Sequence, residues 1–145
     1  NSMHSSDIIK IDLKRLLERI NDDRLMDHQK LYQETSSAHG AVLFSGDLEV
    51  MGLGEDVGRH NALDKAIGRA LLENKLPQTS IAALSSRISY ELVQKAARAG
   101  IPIIISMSRP TALAVDLSRK MNMTLACTTK TGDLLILCGE ERLVG

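Results

Sequence analysis

Short apolar runs alternate with amphipathic helical segments through the second half of the chain, and this alternation constrains the fold more than any other feature. The runs cover residues 80–84, 101–105 and 124–128, and each is followed or preceded by residues whose apolar positions recur three and four apart. Residues 101–105 are apolar on both faces, as parallel strands covered by helices are. The pattern predicts an α/β protein.

Two more apolar runs, residues 40–44 and 48–53, are separated by a Ser-Gly-Asp turn and predict a β-hairpin. A last strand is expected at residues 134–137. The predicted fold is a three-layer α/β/α sandwich with a mixed, largely parallel five-stranded sheet. Apolar residues form 43% of the chain but aromatic ones only 2%, so its core must be aliphatic.

The amino-terminal part divides into two predicted segments. Residues 1–6 have no periodicity and resemble a tag remnant or disordered end. Residues 7–34 are expected to form a helical arm of two helices, the first with a stripe of Ile and Leu side chains that reaches Ile20. The α/β domain is then expected to cover residues 35–145.

Charge and cysteine content limit the classes of function. Lys plus Arg equals Asp plus Glu at 18 each, which disfavours a broad nucleic-acid surface, and no apolar run approaches the length of a membrane helix. The two cysteines, Cys127 and Cys138, form no Cys-x-x-Cys, and no signal-like stretch is present. We expect a cytoplasmic protein without nucleic-acid or membrane partners.

The most crowded polar stretch is residues 54–65, with five charged side chains and a histidine. Arg59 and His60 fall at the start of a predicted helix, where free N–H groups and the helix dipole favour anions. Two further polar turns, one with Arg87 and Ser89 and one with Arg109, also follow strands and precede helices. Because the carboxyl ends of parallel strands share one edge, we expect a common anion pocket there.

Simpler interpretations exist for the same residues. Arg59 and His60 could belong to a capping network with Glu55, Asp56 and Asp64 as ion-pair partners, and the serines could be helix N-caps. A zinc-dependent nucleobase deaminase would need a glutamate where Ala62 stands and cysteines within residues 85–89, and neither is present. A serine nucleophile with His60 as base is conceivable, although no spacing demands it.

Two segments, GEDVGRHNALDKAIGRAL and LSSRISYELVQKAARAGIPIIISMSRPTALAVDLSRKMNMTL, closely resemble the formate dehydrogenase accessory sulfurtransferase family of FdhD-type proteins. The resemblance implies a fold similar to cytidine deaminase. It also implies a cytoplasmic factor that passes sulfur from a cysteine desulfurase to the molybdenum bis(molybdopterin guanine dinucleotide) cofactor before this enters the catalytic subunit of formate dehydrogenase.

The resemblance further implies which residues contact the cofactor. The family's nucleotide segment falls on Thr128, Thr129, Lys130, Thr131, Gly132 and Asp133, with Asp133 where relatives have a basic residue. Neither Cys127 nor Cys138 occupies the place of the family's sulfur-carrying Cys-x-x-Cys, so we expect cofactor binding without sulfur relay, no zinc, and a homodimer. The alternative is a non-catalytic scaffold that binds the desulfurase or the dehydrogenase.

Overall fold

The computed structural model describes residues 11–20, 39–129, 131 and 133–144. The elements in chain order are β1 (Ile11–Asp12), α1 (Leu13–Ile20), β2 (His39–Ser45), β3 (Val50–Asp56), α2 (Arg59–Leu72), a 3-10 turn (Leu76–Gln78), β4 (Thr79–Leu84), α3 (Tyr90–Arg98), β5 (Ile103–Ser106), α4 (Ala112–Lys120), β6 (Thr124–Thr128), β7 (Leu134–Cys138), a 3-10 turn (Glu140–Arg142) and β8 (Leu143–Val144). Within these residues, no helix is both long and apolar enough to cross a bilayer.

The main sheet has six strands in the order β3-β2-β4-β5-β6-β7. The three central strands, β4, β5 and β6, are parallel, whereas β2–β3, β2–β4 and β6–β7 pair antiparallel. The predicted five-stranded, largely parallel sheet is therefore wrong in strand number and in balance. The hairpin of β2 and β3 was predicted correctly. The sequence of the hairpin does not show that β2 lies between β3 and β4 in the sheet.

Apolar side chains form one cluster on each face of the sheet. Helices α2, α3 and α4 cover the first face, where Leu63 and Leu92 pack with Ile104. On the second face, Ile11 from β1 and Leu16 from α1 pack with sheet residues such as Phe44, Ile103 and Ile105. Helical layers on both faces agree with the predicted sandwich, and both cores are aliphatic apart from Phe44.

The start of α1 differs from the predicted helix. Residues Ile11–Asp12 form a short strand that pairs parallel with Leu143–Val144, and the helix begins only at Leu13. The Asp12 carboxylate causes this start, because it accepts the N–H groups of Lys14 (3.0 Å) and Arg15 (3.3 Å) as an N-cap does. The predicted disordered end and the second helix of the arm lie outside the described residues.

Strand β3 and helix α2 make an unusually close contact. A Cβ atom on Gly52 would overlap the carbonyl oxygen of Ala66, and one on Gly54 would overlap that of Ala62 and lie 2.7 Å from the Ala66 nitrogen. Real Cβ atoms do not approach backbone so closely. Glycine at both positions therefore lets the helix backbone rest directly on the strand.

We expect the Gly54→Ala variant to be less stable than the wild type by about 1–3 kcal/mol, because the added methyl group must push α2 away from β3. The matched control is Gly68→Ala, in the middle of α2, where an added Cβ meets nothing within 4 Å. That variant should gain about 0.5–1 kcal/mol from helix propensity. Urea unfolding measures both, and equal effects of the two substitutions would contradict the close contact.

Candidate functional site

The carboxyl ends of four strands lie at the same edge of the sheet. Strands β4, β5 and β6 are parallel, and β3 runs in their direction because it is antiparallel to β2, which is antiparallel to β4. The segments that leave these strands, residues 56–60, 85–89, 106–111 and 128–129, consequently start at this edge. We call it the carboxyl edge; the described parts of the segments that were predicted to form the site begin here.

Backbone hydrogen bonds hold neighbouring segments of the carboxyl edge together. The Met107 N–H donates to the Leu84 carbonyl at 2.9 Å, and the Thr111 N–H donates to the Ile88 carbonyl at 3.0 Å. The segment after β5 is thereby fastened to the segment after β4. These two turns therefore form one linked part of the edge.

The three predicted arginines, Arg59, Arg87 and Arg109, are all exposed at the carboxyl edge. Among the described residues, none of them forms an ion pair or donates a hydrogen bond. Arg109 lies close enough to the Cys127 thiol to act on it electrostatically. Three guanidinium groups without carboxylate partners are available to an external anion.

The acidic residues beside Arg59 pair with lysines instead. The Asp56 carboxylate lies 2.8 Å from Lys65 Nζ, and the Asp64 carboxylate lies 3.0 Å from Lys95 Nζ. The capping network that could have occupied Arg59 through these two aspartates is therefore not formed.

Helix α2 begins at the carboxyl edge with no side chain capping its first turn, since its N-cap is Gly58 and no acidic residue follows in that turn. Arg59 and the half-buried His60 occupy the first two helical positions. The Asp56 carboxylate accepts the Gly58 N–H at 2.9 Å and so fixes the entry into the helix. The first-turn N–H groups and the helix dipole favour an anion at this point.

The other two helices at this edge are capped by their own side chains. Ser89 Oγ accepts the Leu92 N–H at 3.4 Å at the start of α3, and Thr111 Oγ1 accepts the Ala114 N–H at 3.1 Å at the start of α4. Ser89, a predicted cofactor contact, is 8% exposed and serves as an N-cap. Among the described helices that begin here, the uncapped start is that of α2.

The predicted nucleotide segment is the turn between β6 and β7. Thr128 ends β6, and its hydroxyl donates to Met107 Sδ at 3.7 Å. Thr131 Oγ1 contacts Thr129 Oγ1 at 2.9 Å and donates to the Asp133 carboxylate at 3.1 Å, so the turn closes on itself. The other two residues predicted here, Lys130 and Gly132, lie outside the described residues.

Both cysteines are buried, Cys127 at 2% and Cys138 at 7% exposure. Burial raises the pKa of each thiol, and the Arg109 charge offsets this only in part at Cys127. Because the thiolate is the nucleophile, neither is poised to accept sulfur. Across the described ranges, no cluster of three or more His, Cys, Asp or Glu side chains is placed to hold a metal ion.

Fold and site geometry together define a mixed α/β protein with three exposed arginines at the carboxyl edge of a six-stranded sheet. The sequence profile described as the FdhD/NarQ family matches residues 3–144. The chain therefore belongs to the FdhD/NarQ family, which confirms the resemblance found in the sequence.

Several relatives bear the name sulfur carrier protein FdhD. The one from Streptomyces avermitilis is 41% identical over 122 residues, covering 83% of this chain and 43% of the relative. The one from Saccharolobus solfataricus is 38% identical over 144 residues, covering 97% of this chain and 56% of the relative. The chain thus spans about half the length of the relatives it matches.

A solved structure from Desulfotalea psychrophila, named for a formate dehydrogenase accessory protein, superposes with a TM-score of 0.81 at 28% identity. The superposition covers 94% of this chain and 58% of that one. Its extent shows that the fold is shared with that protein. The likeness to cytidine deaminase stays a prediction.

Sequence reasoning missed the residues that organise the site without touching a ligand. Lys65 bonds both the Asp56 carboxylate and the Glu55 carbonyl (3.1 Å), and thereby ties α2 to the end of β3. This ion pair could have been predicted from the sequence, because Asp56 precedes the start of α2 and Lys65 lies two turns into the helix. The two side chains can therefore reach each other.

The pH dependence of stability tests this arrangement. Hydrogen bonds from Lys65 and then from the Gly58 N–H lower the pKa of Asp56 from 3.8 to about 2. Because the pKa is depressed in the folded chain, the ionised carboxylate stabilises the fold above about pH 4, and this contribution is lost as the pH falls towards about 2.

We expect the Asp56→Asn variant to lose less stability than the wild type between about pH 4 and pH 2 in urea-unfolding measurements. Asp116→Asn, at an exposed position on α4, is the matched control and should behave like the wild type. Parallel pH profiles for wild type and Asp56→Asn would show that Asp56 does not hold the helix start.

The burial of the cysteines predicts slow thiol chemistry. With a disulfide reagent near pH 8, Cys127 and Cys138 should react in the native protein only as fast as the fold opens, and both should react at once in concentrated urea. A rapid stoichiometric reaction of either thiol in the native protein would contradict the buried placement.

Proposed function

We propose that this chain binds the bis(molybdopterin guanine dinucleotide) cofactor as its client during maturation of formate dehydrogenase, and so supports sulfur transfer to that cofactor. The names of the relatives, sulfur carrier protein FdhD, and of the structural neighbour, a formate dehydrogenase accessory protein, support this assignment. The dehydrogenase catalytic subunit and a cysteine desulfurase are the partners of this proposal, which places the exchange in the cytoplasm and the chain in a homodimer.

The observation that carries the proposal is the set of guanidinium groups at the carboxyl edge that have no ion-pair partner among the described residues. Arg59 lies at the uncapped start of α2. Arg87 and Arg109 lie in the turns that follow β4 and β5. A diphosphate supplies the negative charge and the planar acceptor pairs that such groups bind best. A guanine dinucleotide contains such a diphosphate between its two halves, and its guanine adds donors and acceptors for the Thr129–Asp133 turn.

We assign to this chain the binding of cofactor and not the carrying of sulfur. The side chain that carries a persulfide must be accessible as a thiolate, and both cysteines here are buried with raised pKa values. The sulfur-carrying thiol of this proposal is therefore neither Cys127 nor Cys138.

Binding of GDP, which contains the guanosine and diphosphate groups of the cofactor, tests the proposal. We expect GDP to raise the melting temperature of the wild type and to bind measurably in calorimetry. Alanine at Arg59, Arg87 or Arg109 should weaken binding about tenfold or more, since each removes a charge-assisted hydrogen bond.

Arg98→Ala is the matched control, because Arg98 is an exposed arginine at the far end of α3, away from the carboxyl edge. It should leave GDP binding unchanged. Failure of the wild type to bind GDP, or an equal loss from Arg98→Ala, would favour a scaffold that holds the dehydrogenase or the desulfurase without the cofactor.

A further inference from the structure

Strand β3 is the last strand on its side of the sheet, and the described residues supply no strand beyond it. Its neighbour β2 shows which backbone groups are free. The Gly40 N–H donates to Ser85 Oγ (2.8 Å) and its carbonyl accepts the Ser85 N–H (3.0 Å), so the backbone groups of Gly40 face away from β3. Gly40 and its partner Glu55 are then a non-hydrogen-bonded pair, and the backbone groups of Glu55 point outward.

Alternation along the strand places the N–H and carbonyl of Leu53 on the same outer edge as those of Glu55. The Lys65 ammonium group already donates a hydrogen bond to the Glu55 carbonyl at 3.1 Å. A lysine at this position protects the end of the edge from indiscriminate pairing. The accessible hydrogen-bonding groups are therefore centred on Leu53.

A groove of about 580 Å³ runs beside this edge. Its strand side is formed by Leu53, Gly54 and Glu55, and its helix side by residues of α2, namely Lys65, Gly68, Arg69, Leu72 and the following Glu73. Gly68 leaves the helix side open, because nothing lies within 4 Å of where its Cβ would stand. The groove has room for the side chains of a short extended segment.

The groove has an apolar contact surface and an uncompensated charge. Leu72 is 87% exposed although it borders the groove, and Leu53 is only half-buried. Lys65 is paired with Asp56, and Glu73 lies 3.2 Å from Lys75. Arg69 is exposed and forms no ion pair with the described residues. The missing complement is a carboxylate.

We propose that this groove binds an extended segment of a partner polypeptide, which adds a strand to β3 through the backbone groups of Leu53. On the side of the segment that faces α2, an apolar side chain packs against Leu72 and an acidic one pairs with Arg69. Side chains on its other face lie beside Leu53, whose side chain points away from α2 because Gly52 and Gly54 face that helix. Backbone hydrogen bonds give such strand addition its affinity, and the alternate side chains give it specificity.

A second copy of this chain fits the groove less well than an acidic segment does. In a two-fold dimer the same surface meets itself, and the charged residues that line the groove, Glu55, Lys65, Arg69 and Glu73, sum to zero, whereas an acidic segment supplies net negative charge. The groove is formed by β3 and the side of α2, whereas the cofactor proposal rests on the carboxyl edge. Binding at one can fail without affecting the other.

The test uses a blocked heptapeptide with threonine at each odd position and leucine, glutamate and leucine at the even positions. The leucine and glutamate side chains then share one face of the extended peptide. Added to the isotopically labelled chain, it should shift the amide resonances of β3 and α2 and slow hydrogen exchange at Leu53. Exchanging its glutamate for lysine should weaken binding about tenfold.

Arg69→Glu should reverse this preference, whereas Arg98→Glu, on α3, should leave it unchanged. Methylation of the peptide's backbone nitrogens supplies a second criterion, because the N–H groups of alternate residues point to opposite edges of a strand. Methylation of one alternate set should abolish binding, and methylation of the other set should be tolerated.

Three results would overturn the proposal. The first is no resonance shift at millimolar peptide, and the second is binding that neither charge reversal nor either methylation pattern changes. The third is concentration-dependent protection of Leu53 without peptide, which would identify a second copy as the occupant. Circular dichroism of Arg69→Glu confirms that the variant is folded before any loss of binding is interpreted.

Discussion

The direct contact of α2 with β3 through Gly52 and Gly54 is the constraint on which the rest of the site depends. Without Cβ atoms at these positions, the helix backbone lies against the strand, and its start is carried to the carboxyl edge. This places Arg59 and the uncapped first turn at the same edge of the sheet as the ends of β4 and β5, with β2 between them. The same contact leaves one side of α2 facing the free edge of β3, so both candidate binding surfaces depend on one packing arrangement.

Charge placement around α2 explains why Arg59 is available. Two of the three acidic residues within six positions of it in sequence pair with lysines, Asp56 with Lys65 and Asp64 with Lys95. Since Asp56 also receives the Gly58 N–H, it organises the helix start from outside the helix and leaves the first turn open. An acidic N-cap in place of Gly58 would have satisfied those N–H groups and repelled an anion.

Local patterns predicted the parallel centre of the fold well and its margins poorly. Strands β4 and β6 lie within one residue of their expected positions, because their apolar runs are encoded locally. Strand direction in β2 is decided by which neighbour it meets, and Ile11–Asp12 form a strand only because Leu143–Val144 lie beside them. Nor did polarity predict that Arg142 is fully buried, where it donates to Thr124 Oγ1 at 3.1 Å.

The site was predictable as an edge but not as a set of contacts. Topology alone brings Arg59, Arg87 and Arg109 to the ends of their strands, since crossover connections return every parallel strand to the same direction. Which serines cap helices and which acids pair with lysines depends on distances of a few ångströms, which spacing in sequence does not fix. The three arginines therefore stay exposed because the nearby carboxylates and hydroxyls have found other partners, and the anion of the proposed function would be the complement that the described residues do not supply.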